Sequence, residues 1–274
     1  MACDFAIARF RFLRRLLLVH GHWCYDRLAL TFLYFLYKNT NNVFVLLFFQ
    51  IYDGWSASFT TDPVYTVLYP IIFSRCLFFQ FRMASIHSAV LYTCSSSLQP
   101  IVVGVVDQDR SAAELLQYPS LYSPGRKGAK YTYSLFAINV LDGIWQAAVV
   151  YFVTHLTFVG YECGMWTLGF YISTGMMLAN AAHLTLEVRC WTLPIVVIFI
   201  FFIFLHFAYF VLYGIAVQPG WIYDAPVDVP LDAMMTADFW LAMVITTVVA
   251  VLPRFATKCL WNTLFTEETA KKLK

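Results

Sequence analysis

Apolar residues fall in runs that are too long and too unbroken for the faces of a water-soluble fold. Five stretches are long enough to cross a bilayer, which takes roughly 20 residues. They are about Ala29–Ile51, Leu135–Phe158, Trp166–Leu186, Trp191–Tyr213 and Phe239–Leu252, the last continuing toward Leu260. A sixth crossing falls between Val64 and Val106, without sharp boundaries. None of the runs alternates with period two, and backbone in lipid must satisfy its own hydrogen bonds, so helices are predicted rather than a barrel. The expected fold is all-α, a polytopic bundle of six transmembrane helices.

Lys and Arg orient this bundle. Arg9, Arg11, Arg14, Arg15 and Arg27 precede the first span, and Arg110, Arg126, Lys127 and Lys130 lie between the second and third. Arg189 separates the fourth from the fifth, and Arg254, Lys258, Lys271, Lys272 and Lys274 follow the sixth. The three opposite loops carry only acids: Asp53 and Asp62, then Glu162, then Asp224, Asp228 and Asp232. By the positive-inside rule both termini are expected in the cytoplasm.

Composition agrees. Charged residues make up 12% of the 274, about half the usual share of a soluble domain, and mean hydropathy is +0.68, which excludes one water-soluble core. The net charge of +2 gives no reason to expect a nucleic-acid partner. Cys3, Cys24, Cys76, Cys94, Cys163, Cys190 and Cys259 form no CxxC pair, so neither a disulfide frame nor a zinc site is expected. The N-terminus is not read as a cleaved signal, because Asp4 interrupts it and the arginines follow its apolar residues. Phe5–Leu18 interleaves arginines with Phe and Leu, as an interfacial helix does; the other reading is a helix packed under the first span.

Lys38 is the basic residue deep in a convincing span. It stands in the polar run Tyr37–Asn42, about ten residues or about 15 Å into the helix. A charge there costs about 2.5–3.5 kcal/mol on insertion scales, so a cavity or partner is expected; the alternative is snorkelling toward the interface. His20 and His22 form an HxH pair with no further ligand at suitable spacing and are read as packed or interfacial. His155, His183 and His206 are single histidines in apolar helices and read as structural. In Gly104–Tyr122, Asp109 or Ser111 can cap a short helix through Leu116, which Pro119 helps end; this explains the DxD better than a metal site does. No GxGxxG, Walker loop, HExxH or GxSxG motif is present.

Several of these stretches together resemble one family. ACDFAIARFRFLRRLLLVHGHWCYDRL (Ala2–Leu28) is similar to the junction between the phosphorylation domain and the fifth span of the phospholipid flippases, a branch of the P-type ATPases. GVVDQDRSAAELLQYPSLY (Gly104–Tyr122) resembles the segment after their sixth span, and LDGIWQAAVVYF (Leu141–Phe152) their seventh. NAAHLTLEVRCWT (Asn180–Thr192) and FWLAMVITTVVAVLPRFATKCLWNTLF (Phe239–Phe265) resemble the end of the eighth span and the tenth, and HGHWCYDRLA (His20–Ala29) and LDGIWQ (Leu141–Gln146) are similar to the class-five members. The six spans would then be flippase spans five to ten, with residues 1–27 an interfacial or linker helix, 28–265 the C-terminal transmembrane domain and 266–274 a cytoplasmic tail. Met1 stands almost at the start of the junction, so the chain is expected to be the back part of a pump cut from its engine.

The resemblance also implies chemistry. A Tyr-Lys-Asn run in the fifth span lies beside the lipid headgroup path in that family, which makes Lys38 and Asn39 the expected substrate-path residues. Asp142 is expected buried but within reach of water, and Glu187 and Arg189 are expected to hold the turn after the fourth span. ATP and Mg²⁺ are implied for the whole family, yet the Asp-Lys-Thr-Gly-Thr and Gly-Asp-Gly strings are absent, so no catalytic residue, metal or cofactor is expected on this chain and it is expected to be inactive alone. Implied partners are a phospholipid, a two-span accessory subunit and the missing N-terminal part of the pump. The implied location is the plasma membrane or an endomembrane (Golgi, endosome or ER). Two departures stand out: Pro70 occupies the place of a family Asn, and Arg75–Ser96 has no counterpart, either a gene-model artefact or an inserted re-entrant hairpin. A free-standing six-span channel or scaffold is the alternative reading. It is disfavoured because the spans hold few ionisable groups besides Lys38.

Overall fold

The structure is a computed structural model that describes residues 9–56, 100, 102–126, 128, 130–158, 164–216 and 229–272. It is 87% helix with no strand among the described residues, as the long unbroken apolar runs require. Helix α1 (Arg11–Arg15) passes through a wider π turn, Leu16–Gly21, into α2 (His22–Tyr52). The helical backbone therefore runs without a break from Arg11 to Tyr52, and Gly21 is helical rather than a cap. The other end of α2 stops at Gly54, whose φ of +65° fits its lack of a Cβ, while the Trp55 amide reaches back to the Gln50 carbonyl at 2.9 Å.

Helix α3 (Ala112–Gln117) is capped by Ser111, whose hydroxyl accepts from the Glu114 amide at 3.3 Å. Asp109, the other expected cap, is used elsewhere. A 3₁₀ turn from Pro119 to Tyr122 and a single helical turn from Ser123 to Arg126 follow. Helix α4 (Tyr133–Thr157) begins at Thr132, which caps the Leu135 amide. Then come α5 (Met165–Glu187), α6 (Leu193–Ala216), the short α7 (Val229–Met235) and α8 (Ala237–Lys272). Pro253 inside α8 has no N–H for the Val249 carbonyl one turn back, and the Trp145 indole of α4 donates to that oxygen at 3.4 Å.

The expected spans Ala29–Ile51, Leu135–Phe158, Trp166–Leu186 and Trp191–Tyr213 correspond to α2, α4, α5 and α6, and Phe239–Leu252 lies in α8. Among the described residues two helices, Tyr133–Thr157 and Ala237–Thr263, are long and apolar enough by themselves to cross a membrane. The apolar part of α6, Leu193–Ala208, is shorter, and the polar run at Tyr37–Asn42 breaks up the hydropathy of α2. Most of the crossing expected between Val64 and Val106, the insert Arg75–Ser96 and Pro70 lie outside the described residues; helix is present at 102–106.

Helix α2 packs along α4; α8 lies against α4 and α5; α7 bridges α5, α6 and α8. One core layer gathers Val45 and Phe49 of α2, Val150 and Tyr151 of α4, Met176 of α5 and Ala250 of α8. The polarity is inverted relative to a soluble bundle. On α8, Leu241, Val244, Ile245, Val248 and Leu252 are exposed while Thr246 is buried. On α6, Ile200, Phe201 and Phe204 face out and His206 faces in. Lipid is as apolar as leucine, so such helices turn their few polar groups toward each other.

Candidate functional site

Tyr37, Lys38, Asn41 and Asn42 of α2 are buried, Lys38 to 2% exposure, and Asn39 is half-buried. The side chain of Lys38 thus sits inside the bundle. Helix α4 crosses α2 at this turn. A Cβ on Gly143 would stand 2.9 Å from the Tyr37 carbonyl oxygen and 3.1 Å from the Thr40 Cβ, so the two backbones approach as closely as they do because the residue is glycine.

A chain of buried hydrogen bonds starts here. Asn41 Nδ2 donates to Asn180 Oδ1 at 2.9 Å, and the Tyr34 hydroxyl donates to the Asn180 carbonyl at 3.1 Å. The Tyr37 hydroxyl lies 3.0 Å from Asn180 Oδ1 and also meets Gln146 Oε1. Gln146 Nε2 faces His183 Nδ1 at 3.2 Å and Asp142 Oδ1 at 3.5 Å, and the His183 ring stacks on Tyr37 at 3.8 Å. Asp142 Oδ2 lies 3.3 Å from His183 Nδ1 and 3.4 Å from an Arg254 nitrogen. Arg254 in turn grips Glu187 Oε1 through Nε at 3.0 Å and Nη2 at 2.8 Å, and Lys258 joins Glu187 at 2.6 Å. Asn41 is thereby linked to the end of the bundle where the basic residues gather. Burial works against ionising Glu187, but the charges of Arg254 and Lys258 outweigh it and hold its carboxyl at about 2.

A second cluster closes the same basic end. Lys130 pairs with Asp26 and lies 3.6 Å from Asp109; Arg189 is 3.5 Å from Asp26 and 3.4 Å from Asp109; His22 Nε2 is 3.1 Å from Asp109. Burial pushes the Asp26 carboxyl up. Asp109 feels the same burial, but hydrogen bonds with Asp26 and His22 and the charges of His22 and Lys130 override it and hold it at about 2. Asp107 adds a backbone clamp, its Oδ1 accepting from the Arg189 and Cys190 amides at 3.3 and 2.9 Å.

The sequence reading is corrected at His22. It is not simply one of a packed pair with His20, because Asp109 arrives from 87 residues away and makes His22, Asp26 and Asp109 a set with ligand atoms within 4.8 Å. The Lys130 ammonium also reaches both carboxylates, so the cluster ties α2 to the segments that precede α3 and α4. Arg189 holds its turn, as expected, whereas Glu187 grips α8. Asp142 keeps to 9% side-chain exposure and is committed to Arg254 and His183.

Lys38 and Asn39 came from the sequence; Gln146, Asn180 and His183 did not. A signal existed. Asp142 and Gln146 are four apart, and Asn180, His183 and Glu187 are three and seven apart, so each set shares one helix face.

Residues 1–84 and 77–267 match the profile of the family described as phospholipid-translocating P-type ATPase, C-terminal. The two pieces meet inside the segment where the sequence reading places an insert. The chain is 35% identical over 97% of its length to phospholipid-transporting ATPase VD of Mus musculus, and covers 17% of that protein. It is 32% identical over 93% of its length to phospholipid-transporting ATPase VB of Homo sapiens, covering 16% of it. Against phospholipid-transporting ATPase 1 of Arabidopsis thaliana it is 32% identical over 95%, covering 20% of that relative. The chain thus spans at most about a fifth of these relatives. Helices with apolar outer faces, buried polar groups at their crossings and this match lead to one conclusion: the chain belongs to the phospholipid-translocating P-type ATPases, and corresponds to their C-terminal region.

Proposed function

We propose that this chain is the C-terminal membrane part of an ATP-driven pump that moves a phospholipid from the outer to the cytoplasmic leaflet, with Lys38 and Asn39 beside the headgroup path. The observation that carries this reading is Lys38 at 2% exposure in the middle of a helix whose neighbours face lipid. A buried ammonium is costly in a bilayer and in such proteins usually marks a pathway. The relatives' names describe phospholipid transport, and a phospholipid headgroup offers the anionic oxygens an ammonium binds.

Six crossings and cytoplasmic termini complete the proposal, the basic end being the cytoplasmic one by its lysines and arginines. The phosphorylated Asp and the nucleotide site would come from the N-terminal remainder of the pump, and the chain alone is expected not to hydrolyse ATP. A two-span accessory subunit is the further partner proposed, and the plasma membrane or an endomembrane is the proposed location.

The test joins this chain to the N-terminal remainder of the mouse relative and follows uptake of fluorescent phospholipids in vesicles. Lys38→Met is uncharged and similar in length. It is expected to lower lipid-stimulated turnover by roughly ten- to a hundredfold, the worth of one hydrogen bond to a charged group, while phosphorylation by ATP persists. Lys38→Arg keeps the charge on a larger, flatter donor and should be partly tolerated. Wild-type transport by Lys38→Met would remove Lys38 from the path.

A further inference from the structure

The Tyr37 hydroxyl has one proton, and Asn180 Oδ1 and Gln146 Oε1 are acceptors within its reach. Asn180 Oδ1 already receives the Asn41 amide at 2.9 Å. Placed on Gln146, the Tyr37 proton leaves neither amide oxygen without a donor. That choice fixes the Gln146 side chain: its oxygen faces Tyr37 and its nitrogen faces His183 and Asp142. His183 Nδ1 lies 3.2 Å from that nitrogen and 3.3 Å from Asp142 Oδ2, so the ring meets both the amide and the carboxylate. Gln146 is fully buried, so it has no water to exchange these bonds with.

From this geometry we propose that Gln146 is a positioning residue for the lipid path, holding the α2 turn that carries Lys38 and Asn39 through Tyr37 and tying it to the Asp142–Arg254 pair at the basic end. The inference rests on the proposed role of Lys38 and adds the element that holds it in place. Three observations converge on it. Gln146 contacts Tyr37, the residue before Lys38. Gly143, one turn earlier on α4, lets the α4 backbone reach the Tyr37 carbonyl. Arg254 and Glu187 anchor Asp142, so the far end of the chain of bonds is fixed by α5 and α8. An amide on α4 that bonds Tyr37 of α2 and lies against His183 of α5 transmits displacement between them, whereas an apolar residue of the same size would only fill the space.

The test uses the purified chain in nanodiscs of phosphatidylcholine and phosphatidylserine, with ¹⁵N-labelled lysine. The Lys38 Nζ resonance is identified by its loss in Lys38→Met. Gln146→Leu is expected to shift that resonance, and Tyr37→Phe to shift it the same way. The double variant should then shift it no further, because both substitutions cut the same link. Gln146→Glu keeps the oxygen for Tyr37 and loses the N–H that faces His183 and Asp142. It should leave the resonance nearer to wild type, and it provides the reading if Gln146→Leu does not fold. A phosphatidylcholine bearing a photoactivatable headgroup should label the Lys38–Asn39 turn about tenfold less in Gln146→Leu, the upper range for one neutral hydrogen bond. An unmoved Lys38 resonance in Gln146→Leu, or additive shifts in the double variant, would overturn the positioning role. Loss of labelling in Lys38→Met is a separate readout. If Lys38→Met labels like wild type while Gln146→Leu still shifts the resonance, the linkage stands and the lipid-path reading fails, and with it the function proposed for the link.

Discussion

The contact between α2 and α4 at Gly143 can be tested with three glycines in one series. Alanine at a helix-interior glycine gains about 1 kcal/mol of propensity. What it loses depends on the neighbours. At Gly175 the new Cβ meets side-chain carbons of Thr246, Val150 and Met243 at 3.4, 3.7 and 3.9 Å, ordinary contact, so Gly175→Ala should be neutral or stabilise by up to about 1 kcal/mol. At Gly104 it comes within 2.6 Å of the Thr31 hydroxyl oxygen, which can turn away to a second χ1 rotamer, so Gly104→Ala should fall near neutral. At Gly143 the obstacle is a backbone oxygen, Tyr37 O at 2.9 Å, backed by Thr40 Cβ and Cγ2 at 3.1 and 3.2 Å. No rotamer relieves that, and a helix must move. Overpacking costs about 1–3 kcal/mol, which leaves Gly143→Ala neutral to about 2 kcal/mol destabilised and about 1–3 kcal/mol below Gly175→Ala. Unfolding by SDS in mixed micelles, followed by far-UV circular dichroism, measures the order. Gly143→Ala as stable as Gly175→Ala would refute the close approach of α2 and α4.

Three further outcomes follow from the same geometry. Arg254→Met leaves Asp142 without its cation and Glu187 with Lys258 alone, and should cost roughly 3 kcal/mol in the same unfolding assay, with part recovered on adding Glu187→Gln; full wild-type stability in the single variant would show that Arg254 does not bridge them. The Glu187 carboxyl lies at about 2 in the folded chain against 4.5 ordinarily, so its contribution is complete above about 4.5 and is lost as pH falls toward about 2. Wild type should therefore lose stability over that window relative to Glu187→Gln, and parallel curves would contradict the pairing. In a cysteine-free background, a cysteine at Ser56 should react with an impermeant maleimide from outside intact cells and one at Ser123 should not; the reverse labelling would invert the topology.

Much of the chain was legible one segment at a time. The apolar runs located α2, α4, α5, α6 and α8, because the tendency to leave water belongs to each stretch whatever it later touches. Asp109 or Ser111 marked the start of α3, since a cap is made within one turn, and the structure uses Ser111. The distribution of Lys and Arg marked one end of the bundle for the same reason: charge is a property of the loop that carries it. Lys38 stood out because a charge in an apolar run is conspicuous without knowing its surroundings.

The tertiary structure decided which polar groups meet. Tyr37 finds Gln146 across 109 residues and Asn180 across 143, and Asp109 finds His22 across 87. A buried polar side chain takes its role from the group that satisfies it, and that group lies on another helix whose rotation no local pattern fixes. His183 therefore reads as an ordinary packed histidine in the sequence, yet in the bundle it stacks on Tyr37 and meets Gln146 and Asp142. Gly143 reads as a tolerated glycine and becomes the point where two backbones nearly touch. Hydropathy determined which segments leave water; helix packing alone determined that their few polar atoms line up into one chain, because inside lipid those atoms have no partners but each other.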